Sequence, residues 1–407
     1  MSAILNKLLK GQNVEWLRIA EVGELVRGNG LQKSDFTESG VPAIHYGQIY
    51  TFYGNFTTET KSFVSPELAE KLRKVNKGDV VITNTSENLE DVGKALLYLG
   101  EKQAVTGGHA TIFRPGEKIL GKYFVYFTQS DFFASEKRKY AKGTKVIDVS
   151  ATDMAKILIP IPPLDVQAEI VRILDTFTAV TAELTAELNM REKQYQYYRD
   201  KFLSFSSDEI NWKILGELGQ LIRGNGLQKS DFTEDGFPAI HYGQIYTFYG
   251  TFADKTKSFV SENLAKKLKK AQNGDVLLAG TSENIQDVMK PLGWLGNEIA
   301  ISGDMFAYRP NTELDTKYLT YLLQTTEFQK YKEKYAHGTK VTRLNAEKFL
   351  RFKIAIPPLD KQKRIVNILD KFEALTHSIT QGLPKEIALR EQQYEYYREQ
   401  LLDFPRN

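Results

Sequence analysis

Ile161-Pro162-Pro163-Leu164-Asp165-Val166-Gln167 opens a run that continues to Phe205, and this run decides how the chain is read. Within it Ile170, Leu174, Phe177, Thr181, Leu184, Leu188, Arg191, Tyr195, Tyr198 and Phe202 recur at alternating spacings of four and three. That is the heptad seam of a helix made to pack on another helix. Only Thr181 and Arg191 interrupt its apolar character. The prolines disfavour helix in the residue ahead of each and force an extended approach. Asp165 can then accept the free N–H groups of the first turn, so it is the expected N-cap.

The same element returns near the end of the chain. Ile356-Pro357-Pro358-Leu359-Asp360 leads into Ile365, Leu369, Phe372, Thr376 and Ile379. The copies close on Tyr195-Gln196-Tyr197-Tyr198-Arg199 and Tyr394-Glu395-Tyr396-Tyr397-Arg398. Each copy is therefore the expected partner of the other's seam. The contacts should come from Leu174, Phe177, Leu184, Leu188, Tyr195 and Tyr198 on one side, and from Leu369, Phe372, Ile379, Tyr394 and Tyr397 on the other. Phe177 to Tyr195 spans 18 positions and Phe372 to Tyr394 spans 22, a difference of about one turn, roughly 6 Å. In the second copy Ile379, Leu383 and Ile387 form a stutter. Gly382 and Pro384 sit inside it, and Pro384 cannot donate to the carbonyl of Thr380, so a kink is expected. The first copy instead holds Thr181-Ala182-Glu183-Leu184 twice in tandem, to Leu188. Four-residue units lengthen a helix while overshooting one turn by only about 40°.

What precedes each helix is also duplicated. Gly28 to Glu38 recurs as Gly224 to Glu234, and His45 to Gly54 as His241 to Gly250, at an offset of 196. Gly143-Thr144-Lys145-Val146 recurs at Gly338 to Val341, one residue out of step. This period is far too long for a solenoid and means two homologous globular units. Each reads as mixed α+β. Val41 to Tyr53 suggests strands and turns, Leu68 to Val75 a short helix, and Val80-Val81-Ile82 a buried strand. Lys122 to Tyr140 reads as helical, and Ile157-Leu158-Ile159 as a strand into the proline pair. The expected boundaries are 1–163 for the first domain, 164–205 for its helix, 206–358 for the second domain and 359–407 for the last helix.

At 407 residues the chain has room for two or three cores. It contains no cysteine, which excludes disulfides and thiolate metal sites and makes the cytoplasm the default. Five histidines without cysteine argue against zinc. Met1 to Trp16 lacks a signal-peptide layout, and no apolar run approaches the roughly 18 residues of a membrane span. A net charge of +3 permits a nucleic-acid partner without demanding one.

Catalytic motifs fare badly. Gly23 to Gly28 has the first spacing of a phosphate loop, but Asn29 stands where the lysine must be. No Asn/Asp-Pro-Pro-aromatic motif occurs. Asp35 with Glu59-Thr60-Lys61 loosely resembles a nuclease carboxylate set, yet Lys255 replaces Glu59 in the second unit. Binding features fare better. Arg27, Asn29, Gln32, Lys33 and Ser34 lie on a glycine-rich loop, followed by His45, Tyr46, Gln48, Tyr50, Tyr53 and Lys61. Further polar loops carry Asn84, Thr85, Ser86, Glu87 and Asn88, then His109, then Lys142, Thr144 and Lys145. The second unit supplies Arg223, Asn225, Gln228, Lys229 and Ser230, then His241, Tyr242, Gln244, Tyr246, Tyr249 and Lys257. It continues with Thr281, Ser282, Glu283 and Asn284, then Asp304, then His337, Thr339 and Lys340. Asn and Gln pair bidentately with adenine, Arg and Lys with guanine, and acids accept from cytosine. Lys, Ser, Thr and loop N–H groups suit phosphates.

The run of Gly-Thr-Lys-Val, a strand, Ile-Pro-x-Pro or Ile-Pro-Pro-Leu-Asp-x-Gln, and then a long helix, present twice, resembles the specificity subunits of type I restriction-modification enzymes. The tandem Thr-Ala-Glu-Leu units and the Tyr-x-Tyr-Tyr-Arg ends resemble the IC subclass. The resemblance implies an α+β chain with two target recognition domains joined by a pair of antiparallel coiled-coil helices in a pseudo-two-fold arrangement. It implies a noncatalytic, cytoplasmic subunit that reads a bipartite double-stranded DNA site. It also implies docking of two methyltransferase subunits and of restriction subunits, with S-adenosylmethionine, ATP and magnesium bound by those partners. A noncatalytic scaffold with duplicated peptide-binding domains would share much of the pattern, and salt-sensitive duplex binding separates the two.

Overall fold

A computed structural model of the chain describes residues 2–206, 210–338, 340–378 and 381–405. The chain forms two compact units, Met1–Ala182 with Leu389–Asn407, and Glu183–Ala388.

In the first unit a five-stranded sheet runs in the order Gly23–Arg27, Ala110–Pro115, Val80–Thr83, Ala95–Tyr98, Phe56–Thr57. All its pairings are antiparallel except the last. Val80–Thr83 is buried at every position, which explains the apolar run Val80-Val81-Ile82. A four-stranded sheet holds Ser62–Val64, Val41–Ile44, Ala104–Thr106 and Arg73–Val75. The helices Gly121–Phe127 and Asp131–Tyr140 cover the first sheet, with the Phe113 and Phe124 rings stacked at 4.2 Å.

Three local expectations change. Tyr46–Thr51 is a helix rather than a strand. His45 caps it, its Nδ1 accepting the Gly47 N–H, and the Gln48 side chain turns back to the His45 N–H. This capping box outweighs the β-like composition of the segment. The helix placed over Leu68 to Val75 lies earlier, at Pro66–Lys71, behind a Ser65 cap, and Arg73–Val75 is a strand. Lys122 to Tyr140 is two helices, the second capped by Ser130.

The helix Leu164–Leu203 is continuous over 40 residues. It starts one residue before Asp165. The Pro163 carbonyl accepts the Val166 and Gln167 N–H groups, so Pro163 caps the helix and Asp165 lies in its first turn. Gln167 is fully buried. Its amide receives the Leu120 N–H at 3.0 Å and donates to the carbonyls of Lys118 and Pro162 at 2.9 and 2.8 Å. One turn pair further on, Asp175 accepts Tyr126 Oη and Lys122 Nζ, both at 2.6 Å. These two side chains fasten the helix to the domain that precedes it.

The last residues of the chain complete the first unit. Phe177 stacks on Tyr397 at 5.1 Å, and Leu401, Leu402 and Phe404 enter the core that holds Val166, Ile170 and Leu174. Rising numbers on one helix meet falling numbers on the other, so the pairing is antiparallel. Tyr394 Oη donates to Gln129 and Glu399 accepts the Asp131 N–H.

The second unit repeats this plan. Its sheets run Gly219–Arg223, Met305–Pro310, Val276–Ala279, Pro291–Trp294, Phe252–Ala253, and Phe232–Thr233, Ser258–Val260, Phe237–Ile240, Ile299–Ile301, Lys270–Ala271. Gln362 is buried with the same three partners in kind, the Asp315 N–H and the Glu313 and Pro357 carbonyls, each at 2.8 Å. Asp370 accepts Tyr321 and Lys317 as Asp175 accepts Tyr126 and Lys122. Phe372 lies 6.4 Å from Tyr195 and 5.7 Å from Tyr198, while Lys361 lies over Phe205, again antiparallel.

The expected kink in the last helix is a full break. Leu359–Thr376 ends, and Gly382–Leu402 begins. Gly382 has φ +76°, and a Cβ there would fall 2.4 Å from the Ala374 carbonyl oxygen. Pro384 becomes the third residue of a new helix, where an N–H has no intrahelical partner to lose. Ile379 and Thr380, on which the seam contact and the kink were placed, lie outside the described residues.

Candidate nucleic-acid interface

In each domain the glycine-rich loop continues directly from the edge strand of the five-stranded sheet. Gly28 donates to the Ala110 carbonyl, and a Cβ at Gly28 would strike the Gly107 oxygen at 2.1 Å. The loop is thus pressed backbone to backbone on the 107–108 turn, a contact only glycine permits. Gly30 and Leu31 both have positive φ, and Leu31 is buried beneath the loop, turning Gln32, Lys33 and Ser34 outward as exposed residues. Asp35 accepts the Gln32 N–H and shapes this turn, so its carboxylate has a structural task.

Aromatic rings join the loops into one surface. Phe36 meets His45 edge-on at 5.7 Å, His45 lies 4.5 Å from Tyr46, and Tyr46 lies 4.9 Å from His109. His109 Nδ1 in turn bonds Thr85 Oγ1 at 3.1 Å. Four segments distant in sequence therefore meet: 32–36, 45–50, 85–88 and 107–109. Burial, with Lys33 and His109 nearby, holds the His45 imidazolium below its ordinary range. Burial and Lys229 lower His241 likewise, while Asp304 opposes the shift. Both rings are neutral caps.

Several of the sequence-selected side chains also hold the loops in place. The Asn29 amide donates to the Lys71 carbonyl and accepts the Arg73 N–H, and Asn225 does the same with Lys267 and Lys269. Gln48 and Gln244 donate to Ser62 and Ser258. Tyr53 and Tyr249 accept the N–H of Lys61 and Lys257. Asn88 and Asn284 close turns onto Asp91 and Asp287, and Ser86 and Ser282 accept the N–H of Asn88 and Asn284. Tyr246 bonds the Thr281 carbonyl. Asn84 is fully buried and accepts from Thr111 Oγ1. Lys142 reaches Asp153 at 3.1 Å, and the cations around Asp153, Lys156 first, lower its carboxyl to about 2.

Arg27, Gln32, Lys33, Ser34, Glu87, His109, Thr144 and Lys145 remain exposed, as do Arg223, Gln228, Lys229, Ser230, Glu283, Asp304, His337 and Lys340. Tyr46, Tyr50 and Tyr242 are half-buried. Lys61 and Lys257 lie over the exposed rings of Phe52 and Phe248. Thr339 lies outside the described residues.

Lys137 stands in the run Lys137-Arg138-Lys139 on the helix Asp131–Tyr140. It is buried, and its Nζ donates to the carbonyls of Glu90 and Val92 at 3.0 and 2.7 Å. Lys332 does the same with Gln286 and Val288. Burial lowers both to about 8. Each ties down the loop that follows the polar segment 84–88 or its copy. The only sequence signal was the repetition of a lysine at matching positions.

A family model, the type I restriction modification DNA specificity domain, matches residues 12–191 and 208–389. The chain belongs to the type I restriction-modification specificity family. It is 33% identical to the type I restriction enzyme EcoR124I/EcoR124II specificity subunit of Escherichia coli, over 99% of this chain and 97% of that one. It is 31% identical to a putative type I restriction enzyme specificity subunit of Haemophilus influenzae, over 98% of each. Among solved structures, a chain from work on complex assembly and conformational transition of the type I R-M system aligns with a TM-score of 0.60 at 18% identity, covering 96% of this chain and 98% of that one. The type I restriction-modification S subunit of M. genitalium aligns at 0.52 and 15%, covering 97% of each. These two likenesses concern the fold. Like its family, this specificity chain is noncatalytic. Among the described residues no helix is long and apolar enough to cross a membrane, and no three metal-ligating side chains converge.

Proposed function

We propose that the two domains of this specificity subunit read the two halves of one bipartite, near-palindromic duplex site. One observation carries the reading. Residues 28–38 and 43–54 recur unchanged as 224–234 and 239–250, and in each domain they form the loop and capped helix that assemble the exposed polar surface. On this reading 1–163 and 206–358 are the recognition domains, and 164–205 and 359–407 are the spacer helices. Arg27, Lys33 and Lys145, with Arg223, Lys229 and Lys340, face phosphates or guanines, while the glutamines and tyrosines supply further groove contacts. The helices dock two methyltransferase subunits, which bind S-adenosylmethionine. Restriction subunits join with ATP and magnesium, and the complex works in the cytoplasm.

The test is duplex binding by the complex with its methyltransferase subunits as salt is varied. Binding should weaken steeply with salt, and Lys33→Ala with Lys229→Ala should reduce the salt slope by about one per lysine that meets a phosphate. Salt-independent binding, or capture of peptides in place of duplex, would overturn it.

A further inference from the structure

A cleft of about 400 Å³ opens in the second domain beside the glycine-rich loop. Arg223, Asp304 and Arg343 bring charge to its walls and His337 an imidazole, and Phe306 lies against Gly280 within it. At the corresponding positions of the first domain stand Arg27, His109, Lys142, Asp148, Thr111 and Asn84. The arginine that precedes the loop is common to both domains. The other five positions differ, although the neighbouring loop and capped helix are identical.

The backbone frame beneath these positions is the same. His337 and Arg343 exchange backbone hydrogen bonds at 3.0 and 2.9 Å, and Lys142 and Asp148 exchange them at 3.0 and 2.8 Å. The N–H of Gly280 donates to the Asp304 carbonyl at 2.8 Å, and that of Asn84 to the His109 carbonyl at 2.8 Å. Even the floor is exchanged as a set. A Cβ on Gly280 would lie 2.8 Å from the Phe306 ring, whereas in the first domain Asn84 and Thr111 fill the space and bond each other. One frame thus carries two side-chain sets. The first domain has an imidazole at 109 and a carboxylate at 148. The second has a carboxylate at 304 and a guanidinium at 343.

We propose that this cleft is where the two half-sites are told apart: Asp304 and Arg343 select base pairs that His109 and Asp148 do not, while the identical loops impose the shared part of the target. Arginine donates bidentately to guanine, and a carboxylate accepts the exocyclic amine of cytosine or adenine. Exchanging them along one frame exchanges the hydrogen-bond pattern that a major-groove edge must offer. The inference rests on the proposed reading of duplex DNA by both domains.

The experiment is a methylation assay of the full complex on a panel of duplexes. It uses the native chain, D304H/R343D, the reciprocal H109D/D148R, and the single variant R343A. The native complex should methylate a bipartite site whose halves agree at most positions and differ at one or a few. In D304H/R343D the second half-site should change at those differing positions only, and H109D/D148R should do the same to the first. R343A should lose about tenfold or more in discrimination there while keeping it elsewhere. Full methylation with unchanged preference, or a change at shared positions, overturns the inference. If a double variant is inactive, R343A decides by the same criterion. Native halves that are identical would also overturn it and leave the duplex-reading proposal standing. A native complex that does not act on a bipartite duplex fails that proposal instead.

Discussion

Gln167 is fully buried, and three backbone groups depend on its amide: the Leu120 N–H and the carbonyls of Lys118 and Pro162. Gln167→Leu keeps the volume and leaves all three without that partner. A buried unpaired group costs about 1–3 kcal/mol, so the variant should lose on the order of 3 kcal/mol in urea unfolding, and Gln362→Leu should behave alike. Gln196→Ala, on an exposed face of the same helix, should stay within about 0.5 kcal/mol. The histidine caps give a pH dependence. His45 and His241 bind their cap N–H groups through a neutral nitrogen, and burial, the main cause, lowers both below the unfolded value. Their contribution is therefore complete above the ordinary histidine range, near 6.5, and is lost as pH falls from there through the folded value. Stability measured between about pH 8 and 5 should fall more for the native chain than for H45N/H241N, whose asparagine caps do not titrate. Equal slopes would contradict the assignment.

Among the elements, the central helix and the break in its copy make separate predictions. The tandem Thr181–Leu188 units lie inside one continuous helix. Deleting four residues removes about 6 Å, and with roughly 3.4 Å per base pair the target spacer should shorten by one or two base pairs. The methylation pattern of a host carrying the deletion reads this directly, and an unchanged spacer would refute the idea of a ruler. Gly382 opens the copy's second segment with a positive φ and no room for a Cβ. Gly382→Ala should lower stability by at least about 1 kcal/mol, read as a shift in the denaturation midpoint. The pairing of Phe177 with Tyr397, and of Tyr195 and Tyr198 with Phe372, was legible in the sequence because heptad spacing is a local signal. The break was only half legible, since Gly382 and Pro384 announce an interruption but their spacing does not say whether a helix bends or stops. The six-residue helix at Tyr46–Thr51 was missed because it has too few turns to show periodicity. Its cap, a histidine answered by Gln48, lies outside the usual capping residues.

For the molecule as a whole, the duplication made the plan readable: the offset showed two homologous units, and the strand and heptad patterns showed that each is α+β and followed by a helix. The candidate surface was legible as a set of loops and not as roles. Asn29 could be singled out as polar and loop-borne, but its two backbone partners lie 42 and 44 residues away. Lys137 belongs to a run of three cations, and its carbonyl acceptors are 47 and 45 residues distant. Such long-range closures leave no local pattern, and they separate residues that shape the loops from residues left free to meet a ligand. The central claim is that one chain holds two copies of one DNA-reading domain at a spacing set by its helices. Methylome sequencing of a host carrying the complete system tests this most directly. The account predicts a single bipartite target whose halves are closely similar and separated by a nonspecific spacer of fixed length. A contiguous target, or two unrelated half-sites, would contradict it.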